Sequence, residues 1–314
     1  MDRERLVALN LVFKDYEDLG LRLIKYKKNH SEMENEFVRQ CRGMIVDINT
    51  NKIICMPPIK SMNIEEYNNA NYTNESVIEE FIDGTMINMW YYKDSWHIST
   101  RSSIGANCKW FSNKKFHELF QESNALNIES MNKDYFYSFV LQHPENRIVT
   151  CYSEPKVTLV FVGKVNEDNS VESIPYEDIA NDINVSTPLR YKFENNNSIE
   201  ELIDYVSKQN FEFQGLVLKN GIHRTKIRNP NYNYARQLRG NTRNMKYLYY
   251  DLLKTGKMGE YLNFYPEFTQ LFNFFSSEFS EMAKNLHTNY MNYHVKKSVT
   301  DIKEIYFPFR PHTY

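Results

Sequence analysis

The chain has 314 residues, 41% of them hydrophobic and 15% aromatic, and a formal net charge of −2. That composition supports one large packed domain with a smaller appendage and excludes wholesale disorder. The near-neutral balance excludes a global basic field, so any nucleic-acid contact has to come from a local cluster of cations.

In chain order, residues 2–18 space Leu6, Leu9 and Phe13 along one helical face. Residues 21–29 alternate as a strand, and 42–58 read as a hairpin around the polar turn 49–52. Strands continue through 76–82, 85–92 and 95–102, with Asp83-Gly84 and Lys93-Asp94 as their turns. Residues 108–123 read as a helix, and 135–142, 147–152 and 157–165 as three more strands. Ser198 with Glu201 forms a capping box that opens a helix over 198–210. Residues 211–228 return to a strand pair, after which the pattern is helical, interrupted at Pro266. Asn-rich 68–74 and Asn195–Asn197 read as polar loops. The expected architecture is an α+β body over 1–238 and a small all-helical domain over 239–314.

Four scattered cysteines, Cys41, Cys55, Cys108 and Cys151, form no CxxC and no Cys/His cluster. They argue against structural zinc or a disulfide framework, and for a reducing, intracellular (cytoplasmic) setting. The N-terminus is charged without an apolar core, and no run approaches a membrane span, so neither a secretion signal nor a membrane partner is expected. His97, His117, His143 and His223 lack ligand spacing, and His143 beside Pro144 reads as a turn residue. Trp90, Trp96 and Trp110 read as core.

A series of separated segments shares an order and spacing with a known superfamily. Arg42-Gly43 with Asp47, then Lys60-Ser61-Met62-Asn63, precede Phe81-Ile82-Asp83-Gly84. Ser99 to Gly105, Phe139 to Val149, and Val160-Phe161-Val162-Gly163 follow. Gln214-Gly215-Leu216-Val217 and Lys226 to Tyr232 complete the set. Together they resemble the covalent nucleotidyltransferases, meaning ATP-dependent RNA and DNA ligases and mRNA capping enzymes, and most of all the phage tRNA-repair RNA ligases. The resemblance implies a nucleotidyltransferase (ATP-grasp-like) body of antiparallel sheets with flanking helices. Together with the residue bias of an AT-rich genome, it suggests a large DNA virus as the source.

In that family a lysine attacks the α-phosphorus of a nucleoside triphosphate, cations hold the phosphates, and carboxylates position metal and ribose. Here the lysine position is Phe81, a glutamate position is Val140, and the glutamate of Glu-Gly-x-Val is Gln214. Phe81 reads either as core filler or as a flat wall for base stacking. The cationic positions remain: Arg42, Lys60, Lys226 and Arg228, with Arg101 a fifth. The resemblance therefore implies no catalytic residue and no metal ligand, with a binding set of Arg42, Lys60, Phe81, Asp83, Gly84, Arg101, Phe161, Gln214, Lys226 and Arg228.

No cofactor is expected beyond ATP or GTP as a bound ligand, and the expected partner is a nucleotide or an RNA 5′ end, triphosphorylated or capped. Cap recognition requires a second aromatic and an acidic residue, for which Phe161, Tyr91 or Trp96 with Glu79 or Glu80 are candidates. Two alternatives stay open. One is an active ligase or transferase with a relocated nucleophile such as Lys60. The other is an interaction protein with a vestigial pocket, docking a protein partner through the aromatic-rich helical tail. Either binding role would suit an adaptor in RNA processing or translation.

Overall fold

A computed structural model describes residues 3–313 apart from 71, 74, 124 and 193–197. The chain divides into two compact units, Met1–Gln237 and Leu238–Tyr314.

The first unit is α+β, built from three antiparallel sheets. The first sheet takes β1 (Leu11–Tyr16), β2 (Leu21–Tyr26), β3 (Arg42–Asp47) and β4 (Ile53–Cys55) in sequence order. Three further strands, β5 (Val77–Glu80), β6 (Thr85–Tyr92) and β7 (Ser95–Ser99), lead into β8 (Tyr135–Gln142), β9 (Lys156–Val165) and β10 (Val171–Ile174). The second sheet runs β10-β9-β8-β6-β7. The third runs β12-β11-β5, from β11 (Gly215–Asn220) and β12 (His223–Arg228). β5 and β6 are neighbours in sequence yet belong to different sheets, so Phe81-Ile82-Asp83-Gly84 is the seam where the chain crosses from one sheet to the next. The four residues expected as part of a strand and its hairpin turn therefore line a junction.

Each sheet buries its own apolar face. The first packs Leu23, Ile24, Met44, Ile45 and Val46 with Trp90, Phe136 and Phe161. The second packs Ile87, Phe139, Leu141 and Leu159 against Leu119 and Phe120 of helix Phe116–Ser123. The third packs Leu216, Leu218 and Ile227 against Tyr67 of helix Ile64–Ala70 and Leu202 and Val206 of helix Ile199–Ser207. Trp90 is core as expected, Trp96 packs at its edge, and Trp110 is exposed.

Several local expectations change. The N-terminal helix is Arg3–Ala8 only, because Asn10 in the left-handed region ends it and the chain turns into β1. The helix expected from residue 108 begins at Phe116. Residues 147–152 are irregular: the Val149 and Thr150 amides donate to the Asp83 carboxylate, and the Cys151 amide to Glu212, so side chains take the bonds a strand partner would accept. Lys93 and Asp94 both have positive φ and form the expected two-residue hairpin turn between β6 and β7. Strand β10 was not anticipated. His143 caps the turn Pro144–Asn146, accepting from the Glu145 amide. Asn195–Asn197 lie outside the described residues, and residues 68–70, expected as loop, end helix Ile64–Ala70.

The second unit is helical. Helix Met245–Thr255 is capped by Asn244 and closed by Gly256; Met258–Phe264 and Thr269–Tyr290 follow, separated by the turn at Pro266. Tyr249, Tyr261, Tyr265, Phe272 and Phe275 form its core, while Tyr247, Phe274 and Phe279 are exposed. No described helix is long and apolar enough to cross a membrane.

Candidate functional site: a cationic pocket at the sheet seam

β12 carries the sequence HRTKIR, in which Arg224, Lys226 and Arg228 alternate and so share one face. Opposite them on β11 stand Lys219, Val217 and Gly215, paired in that order. On β5, Glu79 pairs with Val217, and the Phe81 amide donates to the Gly215 carbonyl at 2.9 Å. Gly215 is there by necessity. Its φ is +135°, and a Cβ would lie 2.0 Å from the Ile227 carbonyl oxygen. The face thus presents a ladder of charge, with Arg224 buried, Lys226 half-buried and Arg228 exposed.

This face forms one wall of a pocket of about 210 Å³. Six cations line it: Arg42 from β3, Lys219 from β11, Arg224, Lys226 and Arg228 from β12, and Arg236 from helix Pro230–Arg239. Phe81, Gly84, Met86, Val140 and Gln214 complete the part facing the seam. The Lys226 ammonium sits 3.8 Å from the Phe81 ring centroid, and the Arg228 guanidinium carbon 5.1 Å from it, so the phenyl face meets positive charge.

Two acids line the pocket as well. Glu79 is buried and saturated: it accepts from the Tyr176 hydroxyl at 2.6 Å, from Arg190 Nε at 3.3 Å and from the Lys219 ammonium. Burial holds the Glu80 carboxyl above the ordinary range, with Lys156 opposing.

The cations differ in what occupies them. Arg224 donates to the Ile59 and Pro58 carbonyls, and Arg42 to the Pro58 carbonyl and the Met86 sulfur. Among the described residues, Lys226, Arg228 and Arg236 have no carboxylate partner. Burial, then the charges of Arg224, Arg42, Arg228 and Arg236, hold Lys226 well below the usual lysine range. Burial likewise lowers Lys219 despite its pairing with Glu79.

Of the ten residues expected to bind, Arg42, Phe81, Gly84, Gln214, Lys226 and Arg228 come together in this pocket. Four do not line it. Phe161 is buried against Phe136 in the first sheet's core, because β9 turns that side chain away from the seam. Asp83 is buried as a structural acceptor, taking the Tyr232 hydroxyl at 2.7 Å and the amides of Val149 and Thr150. Lys60 donates weakly to the Ser61 carbonyl. Arg101 stacks on Tyr26, with its guanidinium carbon 4.2 Å from the ring centroid, and donates to the Tyr26 carbonyl. It still lies close to Arg42: a Cβ on Gly43 (φ +96°) would fall 2.9 Å from the Arg101 Cα, so glycine lets that loop rest on β3.

Sequence reasoning missed Lys219, Arg224 and Arg236. The signal for the first two was present, since Arg224 extends the alternation of Lys226 and Arg228, and Lys219 that of Gly215 and Val217. Arg236 reaches the pocket from a helix whose placement no local pattern shows.

The remaining grouping of metal-type side chains among the described residues is Glu122, His143 and Glu145. There Lys114 bridges both glutamates, at 2.9 and 2.7 Å, and supplies the positive charge itself.

No protein-family profile matches the sequence. Over 193 residues the chain is 28% identical to an RNA ligase of Rhodothermus phage RM378, an alignment covering 49% of this chain and 44% of that protein. Over 245 residues it is 23% identical to a provisionally named bifunctional polynucleotide kinase/RNA ligase of Autographa californica nuclear polyhedrosis virus, covering 70% of this chain and 34% of that protein. The chain thus spans less than half the length of either curated relative. Among solved structures, an archaeal ATP-dependent RNA ligase superposes with a TM-score of 0.52 at 13% identity, covering 78% of this chain and 63% of that one. The chain thus shares the fold of an ATP-dependent RNA ligase, and its sequence is similar to RNA ligases.

Proposed function

We propose that the pocket binds a nucleotide or the 5′-phosphorylated end of an RNA and transfers nothing. One observation carries the reading: an aromatic ring, at the position where the resemblance puts the nucleophilic lysine, lines a cluster of six cations, three of them without a carboxylate partner among the described residues. Lys226, half-buried with no carboxylate partner, is expensive to keep charged, and a polyanionic ligand compensates it together with the exposed Arg228 and Arg236. The triphosphate form of the ligand fits better than the cap form. Phe81 is the single aromatic lining the pocket among the described residues, so no second ring stands ready to sandwich a methylated base. Tyr91 and Trp96 pack edge to face with each other on β6 and β7. An adaptor role in RNA processing or translation, with a protein partner on the helical unit's exposed Phe274 and Phe279, extends the same reading.

The test is a titration of ATP, GTP, 7-methyl-GTP and 5′-triphosphorylated RNA. Saturable binding is expected, weakened by Lys226→Ala and by Arg228→Ala. Absence of binding by all four ligands would defeat the proposal.

A second reading is favoured by Lys226 itself, an amine held toward its neutral form within the pocket. In that case Lys226 Nζ would attack the α-phosphorus, a P–N bond would form as the bond to pyrophosphate breaks, and the amine proton would pass to solvent. A nucleotide adduct that survives denaturation would establish this reading, and its absence at full occupancy would remove it.

A further inference from the structure

The superfamily's chemistry implies a divalent metal held by carboxylates, and the residues present do not fit one. Hard divalent cations take oxygen ligands, with carboxylates supplying the compensating charge. In this pocket Val140 and Gln214 stand at the positions where the resemblance puts glutamates. The Gln214 carbonyl oxygen is buried, lacks a hydrogen-bond partner, and belongs to a side chain lining the cleft. It offers an acceptor but no negative charge. Glu79 already serves Tyr176, Lys219 and Arg190. Glu80 alternates to the opposite face of β5 and also lines a second cleft of about 320 Å³ with Gln142, Thr158 and Leu189.

Against these, Arg42, Arg224, Lys226, Arg228, Lys219 and Arg236 all bring positive charge. A ligand carrying Mg²⁺ enters with two of its negative charges cancelled. It also brings a dication into a cluster of six cations, where Glu79 is already engaged and Glu80, on the opposite face of β5, is the lining carboxylate that remains.

We propose that this pocket takes its phosphate ligand as a metal-free polyanion, and that Mg²⁺ competes with the protein for that ligand. The proposal rests on the reading of the pocket as a phosphate site. It parts from the superfamily's metal-assisted chemistry because the cation cluster supplies the neutralisation that metal would otherwise give. Gln214, whose buried carbonyl oxygen lacks a partner, then accepts a hydrogen bond from a hydroxyl or amine of the ligand.

The experiment is calorimetric titration of the full chain with inorganic tripolyphosphate, in EDTA and in excess Mg²⁺, at constant ionic strength. Binding in EDTA is expected to be about tenfold tighter or more, since juxtaposed like charges are strongly penalised. Equal or tighter binding in Mg²⁺ would overturn the proposal while leaving the phosphate site standing. Absence of binding in both buffers would overturn the phosphate site and this inference with it. Gln214→Glu, checked for folding by its melting curve, returns a carboxylate to the pocket and is expected to shrink the Mg²⁺ penalty. An unchanged penalty in the folded variant would contradict the role given to the missing carboxylate.

Discussion

Lys226→Met removes an ammonium while keeping the length and apolar bulk of the side chain. In the folded protein that ammonium is packed against Phe81 and crowded by Arg224, Arg42, Arg228 and Arg236, with no carboxylate paired to it among the described residues. Replacing buried ionic groups with apolar residues of similar volume is neutral or stabilises a fold by about 1–4 kcal/mol. Lys226 keeps one side open to the cleft, so the lower end, about 1–2 kcal/mol, applies. The attraction between the ammonium and the Phe81 ring, which the variant gives up, is worth about 0.5–1 kcal/mol, and a thioether against the same ring returns about as much.

The pH dependence has a definite sign. The folded protein holds Lys226 well below 10.5, the ordinary lysine value, so the unfolded chain binds its proton more tightly. Wild-type stability is therefore lowest below the depressed folded value and rises with pH through the window up to 10.5. The variant lacks this slope. Urea denaturation of both proteins at neutral and alkaline pH measures the gain and the slope, and the same samples titrated with tripolyphosphate should show weakened binding. A variant less stable than wild type at neutral pH, or one that retains the full slope, would refute the picture of an uncompensated cation.

Three further substitutions separate binding from support. Gly215→Ala should destabilise by about 3 kcal/mol or more, because it combines a strained backbone with a Cβ driven into the Ile227 carbonyl; chemical denaturation reads this directly. Asp83→Asn should lower stability by about 1–3 kcal/mol, through loss of charged acceptors for Tyr232, Val149 and Thr150, with ligand affinity of the folded protein intact by calorimetry. Phe161→Leu should reduce the melting temperature and leave ligand affinity within about twofold, since the ring packs in the first sheet's core and not in the pocket.

Much of this was legible in the residues. β2, β3, β6, β7, β8, β9, β11 and β12 follow from alternation, and the helix after Ser198 from its cap, because those signals are local. The seam was not legible. Asp83-Gly84 carries the chemistry of a hairpin turn, but whether the flanking strands pair with each other or with distant strands is decided by Leu216 and Val140, which lie far along the chain. Residues 147–152 have strand composition, yet the Asp83 carboxylate captures their amides across more than sixty positions. The pocket was half legible for the same reason. Alternation on β12 points to Arg228 and Lys226, and motif order brings Arg42 and Gln214 beside them. The departures of Lys60, Asp83, Arg101 and Phe161 follow from side-chain direction at the sheet junction, which motif order does not encode.

Intact-mass analysis of the protein after incubation with saturating ATP or GTP, with and without divalent metal, bears most directly on the claim that the pocket grips phosphates without chemistry. Unmodified mass is expected under every condition in which calorimetry shows the pocket filled. A protein heavier by one nucleoside monophosphate, with the modification mapped to Lys226 or Lys60, would contradict it.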